Sequence, residues 1–164
     1  MRLPLVTLEE DSAPLKPLPL TTGLFGSSST DNLRFKMSDE EQLVLAFVLP
    51  ERRSRYLEFL RTAKGREKFR KTLTNFRAWD KRFTRIIAPG SQNPKNIEQI
   101  LLSLGAHHTC YVISDVTDLD GHRIPLASAL CSIVGYSYGS VLSCVPGILA
   151  YYEGEGERCL LYRR

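Results

Sequence analysis

Residues 109–162 constrain the fold most, because short β-type runs alternate there with turns of specific chemistry. Thr109–Ser114 (TCYVIS) is rich in β-branched and aromatic residues and ends in the polar cluster 115–121, as a strand and its exit do. Both faces of this run are largely apolar, which predicts a central strand. Residues 139–144 and 148–153 flank Val145-Pro146-Gly147, where proline pre-sets φ and glycine accepts the positive φ of a type II turn. A hairpin is expected, with its register open because two-residue hairpins prefer the mirror-image turns. Residues 153–157 (EGEGE) form a second turn and residues 158–162 a last strand, completing a three-stranded antiparallel meander.

Between the first strand and the meander, Leu126, Leu130, Ile133 and Val134 recur at helical spacing, with Pro125 suited to the first turn and Gly135 to the position after the last. The expected class is therefore α+β: N-terminal helices packed on a small mixed four-stranded sheet of order β-α-β-β-β, with the crossover helix on one face and the earlier helices on the other.

Those earlier helices are legible in turn. Ser38-Asp-Glu-Glu41 is a capping box, and the helix it opens runs through the apolar stretch 43–48 to Pro50. Pro50 suits the start of a second helix with Tyr56, Leu57, Phe59 and Leu60 on its inner face. A third begins near Lys64 and carries Phe69, Leu73 and Phe76. Trp79 and Phe83 continue the core in a less regular segment. Asn93-Pro94 starts the clearest amphipathic helix, with Ile97, Ile100, Leu101 and Leu104 on one stripe and Gly105 at its end.

Residues 1–37 carry four prolines and a Ser-Ser-Ser-Thr run without periodicity, and are expected to be a disordered tail ahead of one domain over residues 38–164. Met37 offers an alternative natural start. The 43% hydrophobic content is that of a globular protein. No run approaches the roughly 20 apolar residues that a membrane-spanning helix needs. The N-terminus lacks a signal-peptide pattern, and Cys110, Cys131, Cys144 and Cys159 each sit on an apolar run without a CxxC pair. They read as reduced core residues of a cytoplasmic protein.

Charge is distributed unevenly. Residues 51–86 hold 13 Lys or Arg against 4 Asp or Glu, while the rest of the chain is net acidic. Arg53, Lys64, Arg66, Lys68, Arg70, Lys71, Arg77, Lys81, Arg82 and Arg85 are candidate contacts to the phosphates of a nucleic acid or another polyanion. Against this, cations spread around the polar arc of the third helix are also what a solvated face carries. No RNA-recognition, KH or zinc-finger pattern accompanies them.

Other constellations fail on their own terms. Gly135-Tyr136-Ser137-Tyr138-Gly139 matches the G-x-S-x-G nucleophile elbow, but the elbow needs a strand before the serine and a helix after it, whereas here the order is reversed. No Asp or His follows Ser137 either. Asp115, Asp118, Asp120 and Gly121 resemble part of a calcium loop, yet the first and twelfth positions are Val116 and Ala127. His107, His108 and Cys110, with Cys144 or His122, supply zinc-ligand types, but Cys110 is expected in the core. A dyad or triad from His108 or His122, Asp115 and Ser143 has no spacing that demands it. Glu153, Glu155 and Glu157 read as solubilising turn residues.

The function expected from sequence is accordingly a non-enzymatic binding or regulatory module acting through an unidentified protein partner, without cofactor, metal or membrane. RNA or DNA bound by residues 52–85 is the first alternative, and an enzyme with an unrecognised site the second.

Overall fold

The computed structural model describes residues 37–164. The expected tail therefore lies outside the described residues except for Met37. Among the described residues five α-helices, α1 (Asp39–Phe47), α2 (Pro50–Leu60), α3 (Ala63–Thr72), α4 (Pro94–Ser103) and α5 (Leu126–Ile133), surround six strands. The strands are β1 (Thr84–Ile86), β2 (Thr109–Ser114), β3 (Arg123–Pro125), β4 (Ser140–Val145), β5 (Leu149–Gly154) and β6 (Glu157–Tyr162). They form one sheet in the order β1-β6-β5-β4-β2-β3, every pair antiparallel.

The α+β class and the β4–β5–β6 meander are as expected, but a mixed four-stranded sheet is not what forms. The two further strands are three residues long, Thr-Arg-Ile and Arg-Ile-Pro, too short and too polar to show a period of two. Both lie at edges, where arginine and proline are tolerated because one side of the ladder stays unpaired. The missing β3 also explains the wrong sense. A strand followed directly by a crossover helix returns parallel. Here β3 first reverses the chain, so α5 carries it back and β4 enters antiparallel to β2, Ser140 opposite Ser114.

Strand alternation divides the core in two. Ile113, Val141, Ala150, Tyr152, Cys159 and Leu161 face α1–α3, where Leu43, Phe47, Phe69, Phe76 and Trp79 pack on them. Cys110, Val112, Leu142, Leu149, Tyr151 and Leu160 face α4 and α5, with Ile97, Leu101, Leu130 and Ile133. The sheet is the middle of three layers, which is why its central strands are apolar on both faces.

Local signals match their elements. The Ser38 hydroxyl accepts from Glu41 N at 3.1 Å while the Glu41 carboxylate accepts from Ser38 N at 2.8 Å. Ile148 N donates to Val145 O at 3.0 Å around Gly147, whose φ is 70°. A bulge between Ser143 and Val145 completes that hairpin's register. Helix α3 ends before Leu73, and a 3₁₀ turn, Leu73–Asn75, delivers Phe76 to the core instead.

That turn lies against the ends of β4 and β5. A Cβ on Gly139 would strike the backbone of Leu73 and Thr74, and one on Gly154 would strike the Tyr152 hydroxyl. Glycine is required at both by close approach, since neither has a positive φ. Of the four cysteines, Cys110, Cys144 and Cys159 are buried, but Cys131 is exposed on the outer face of α5. Its neighbours Ala129, Leu130 and Ile133 turn inward and leave it outside. Among the described residues no helix is long and apolar enough to cross a membrane.

Candidate nucleic-acid interface

The ten candidate cations separate into those that hold the fold and those left to solvent. Arg66, on α3, donates to Glu40 of α1 (2.8 and 2.6 Å) and grips Asp120 of the β2–β3 loop with two further bonds. Its bond to Asp120 and then its contacts with Glu40 raise the Arg66 pKa well above the ordinary value, despite desolvation, so the guanidinium is permanently charged. Arg70 lies 3.0 Å from Asp120 and donates to Ser114 O. The Tyr111 hydroxyl donates to Glu40 at 3.1 Å. Asp120 also accepts from Ser114 N, so a half-turn of a calcium-like loop is in fact the acceptor for two arginines.

Three more candidates are engaged. Arg53 donates its Nε to Val48 O at 2.9 Å and stitches the α1–α2 junction. Arg82 pairs with buried Asp80, holding that carboxyl below its usual range chiefly through the side-chain hydrogen bond. Lys71 pairs with Glu67 one turn back on exposed surface, a bond of the kind that contributes little to stability. Arg85 stands over the Tyr162 ring on the edge strand β1; alternation puts it on the sheet face opposite Thr84, away from the others.

The candidates unpaired among the described residues, Lys64, Lys68, Arg77 and Lys81, together with Lys71, line three adjoining depressions, a track that runs from α3 along residues 72–84. An open depression of about 380 Å³ is lined by Lys64, Glu67, Lys68, Lys71 and Thr72 of α3. Thr72 also borders a second, of about 340 Å³, with Arg52, Tyr56, Asn75, Phe76 and Arg77. Phe76 and Arg77 in turn border a third, also about 340 Å³, with Lys81, Thr84 and Glu157. Over residues 51–86, ten Lys or Arg are exposed against three Glu. Several cations lie on rings: Arg55 and Lys68 over Phe59 at 5.5 and 5.2 Å, and Arg82 and Arg163 over Phe83 at 5.4 and 5.0 Å. Arg52, in the same basic block but outside the ten, borders the second depression, whereas Arg163 comes from the end of the chain and reaches the Phe83 ring through tertiary contact.

The catalytic and metal alternatives do not assemble. His108 precedes β2 and Asp115 follows it, so a six-residue strand of about 20 Å separates them. Ser143 is buried between Tyr111 and Ala150, while His108, His122 and Asp115 are exposed. Among the described residues no group of three His, Cys, Asp or Glu is arranged to hold a metal. Burial pushes the Cys110 thiol up to about 12, away from the thiolate a ligand or nucleophile needs.

Glu153 corrects the expectation of a solubilising turn. It is fully buried, and its carboxylate accepts from Gly135 N (2.8 Å), Ser137 N (3.3 Å), the Tyr151 hydroxyl (2.7 Å) and Arg158 Nε (3.2 Å). The G-x-S-x-G stretch is thus a loop tethered to the sheet by a buried acid. Of the other two glutamates, Glu155 is exposed and accepts from Asn75 Nδ2 at 2.7 Å.

Comparison with protein-family models, with curated proteins and with solved structures yields no match.

Proposed function

We propose that the protein is a nucleic-acid-binding module that takes the phosphate backbone along the cationic side of α2, α3 and residues 76–81. The observation that carries this reading is the continuity of the three depressions through Thr72, Phe76 and Arg77, bringing Arg52, Lys64, Lys68, Lys71, Arg77 and Lys81 to one surface. Arg66 and Arg70 are excluded, because their charge is consumed by Glu40 and Asp120.

Such a surface attracts phosphate without reading sequence, and affinity then follows counterion release. Six cations, one of them shared with Glu67, correspond to a log–log salt slope of about −3 to −4 on a single strand. The protein-contact reading rests on exposed apolar side chains. Leu45, Ile86 and Ile148 stand on α1, on β1 and in the β4–β5 turn, which supports it less.

Fluorescence anisotropy with a labelled mixed-sequence oligonucleotide tests the proposal. Binding at about 50 mM salt is expected, weakening about 100-fold by about 200 mM. No retention on the oligonucleotide or on heparin at the lower salt removes it.

A further inference from the structure

Resting on that reading, we infer that the nucleic acid is single-stranded, and that two of its bases stack on Tyr136 and Tyr138 while its phosphates follow the cationic track.

The loop between α5 and β4 alternates between anchored and displayed residues. Gly135 and Ser137, at φ 94° and 55°, turn their N–H groups inward to the buried Glu153 carboxylate. Tyr136 and Tyr138 between and after them are thrown outward, 60% and 50% exposed, with parallel rings (6° between planes, centroids 6.0 Å apart). Ser137 is the sole non-glycine residue with positive φ among the described residues. Strain of this kind persists where surroundings over-determine it, and it concentrates at binding sites. Here a fully buried acid with four donors supplies the constraint.

A pair of exposed, parallel aromatic rings on a backbone tethered by a buried acid is a stacking surface whose main chain needs little ordering when a ligand arrives. Its position suits the track. Gly139 closes directly on the backbone of Leu73 and Thr74, and Asp115 N donates to Gly139 O at 3.1 Å. The loop therefore abuts the Thr72–Asn75 stretch that borders the first two depressions. In the inferred complex phosphate goes to the ammonium and guanidinium groups of the track, and base to the phenol rings of the adjoining loop. A duplex keeps its base faces inside its own stack and has nothing to offer the tyrosines; an unpaired strand exposes both chemistries at once.

The test uses the full chain and three labelled probes of about 20 units, oligo-dT, oligo-rU and a mixed duplex, at about 100 mM salt. Wild type is expected to bind one or both single strands more tightly than the duplex. Tyr136→Ala and Tyr138→Ala should each lose about tenfold on the single strands, with the salt slope and duplex affinity unchanged. Tyr136→Phe and Tyr138→Phe, which keep the ring, should bind as wild type, and the unchanged duplex affinity of the alanine variants excludes a folding defect as the cause. Preference for oligo-rU or for oligo-dT assigns the natural strand. Alanine variants that bind single strands like wild type, or a wild type that prefers the duplex, overturn the inference while leaving the cationic track standing. No binding to any probe overturns the track as well.

Discussion

Arg66→Met is the perturbation that best separates fold-holding arginines from surface ones. The guanidinium joins α1, α3 and the β2–β3 loop through Glu40 and Asp120, whose side chains are only 8% and 7% exposed. Without it Asp120 retains Arg70 and Ser114 N, but Glu40 is left with the Tyr111 hydroxyl alone. Removing one partner of a fully buried pair costs about 3–5 kcal/mol. Arg66 is itself 27% exposed and only one carboxylate loses its cation. The expected loss is therefore about 2–3 kcal/mol, a fall in Tm of roughly 6–12 °C for a chain of this size. Urea unfolding followed by the fluorescence of Trp79, the only tryptophan and a buried one, measures it directly. Arg66→Lys should recover part of the loss, because it restores charge without the fork. Under native conditions Arg66→Met should bind the oligonucleotide like wild type. A loss below about 0.5 kcal/mol, the ordinary range for a surface substitution, would refute the reasoning.

Gly139→Ala drives a methyl into the Leu73–Thr74 backbone, which has no side-chain end to yield, and should cost about 2 kcal/mol or more in chemical denaturation. Gly90→Ala, with open space around it, should be neutral or slightly stabilising. The Asp80 carboxyl is held below its unfolded value of 3.8, so the stability it adds is present above that pH and lost as pH falls through the depressed value. Tm should therefore be lower for Asp80→Asn than for wild type near neutrality, and the gap should close below about pH 4; a gap constant with pH would contradict this. Iodoacetamide at pH 8 should add one group to the native chain, at exposed Cys131, and four after unfolding, because burial raises the other three thiols and shields them.

The elements that sequence revealed are those whose signal is local. The Ser38–Glu41 capping box, the Asn93-Pro94 helix start and the Pro146-Gly147 turn each satisfy their backbone groups within a few residues, so composition alone specifies them. Strands β1 and β3 have no such signal: Thr84–Ile86 is extended because β6 already offers a ladder. Losing β3 also lost the direction of every later strand relative to β2. The site shows the same division. A cluster of positive charge is visible in the sequence, but which cations are free is decided by acids far along the chain, Glu40 and Asp120 on either side of Arg66. Glu153 was misread because a glycine-flanked acid reads as a turn, and only the return of the 135–139 loop over β5 buries it.

The claim that the exposed cations form a polyanion site is tested most directly by reversing three of them, Arg52, Arg77 and Lys81 to glutamate together, and repeating the salt titration. All three are exposed and border the shared depressions, so Tm should stay near that of wild type. The affinity should drop at every salt concentration, and the log–log slope should become shallower by about 2 to 3. A folded triple variant that binds with the affinity and slope of wild type would contradict the account.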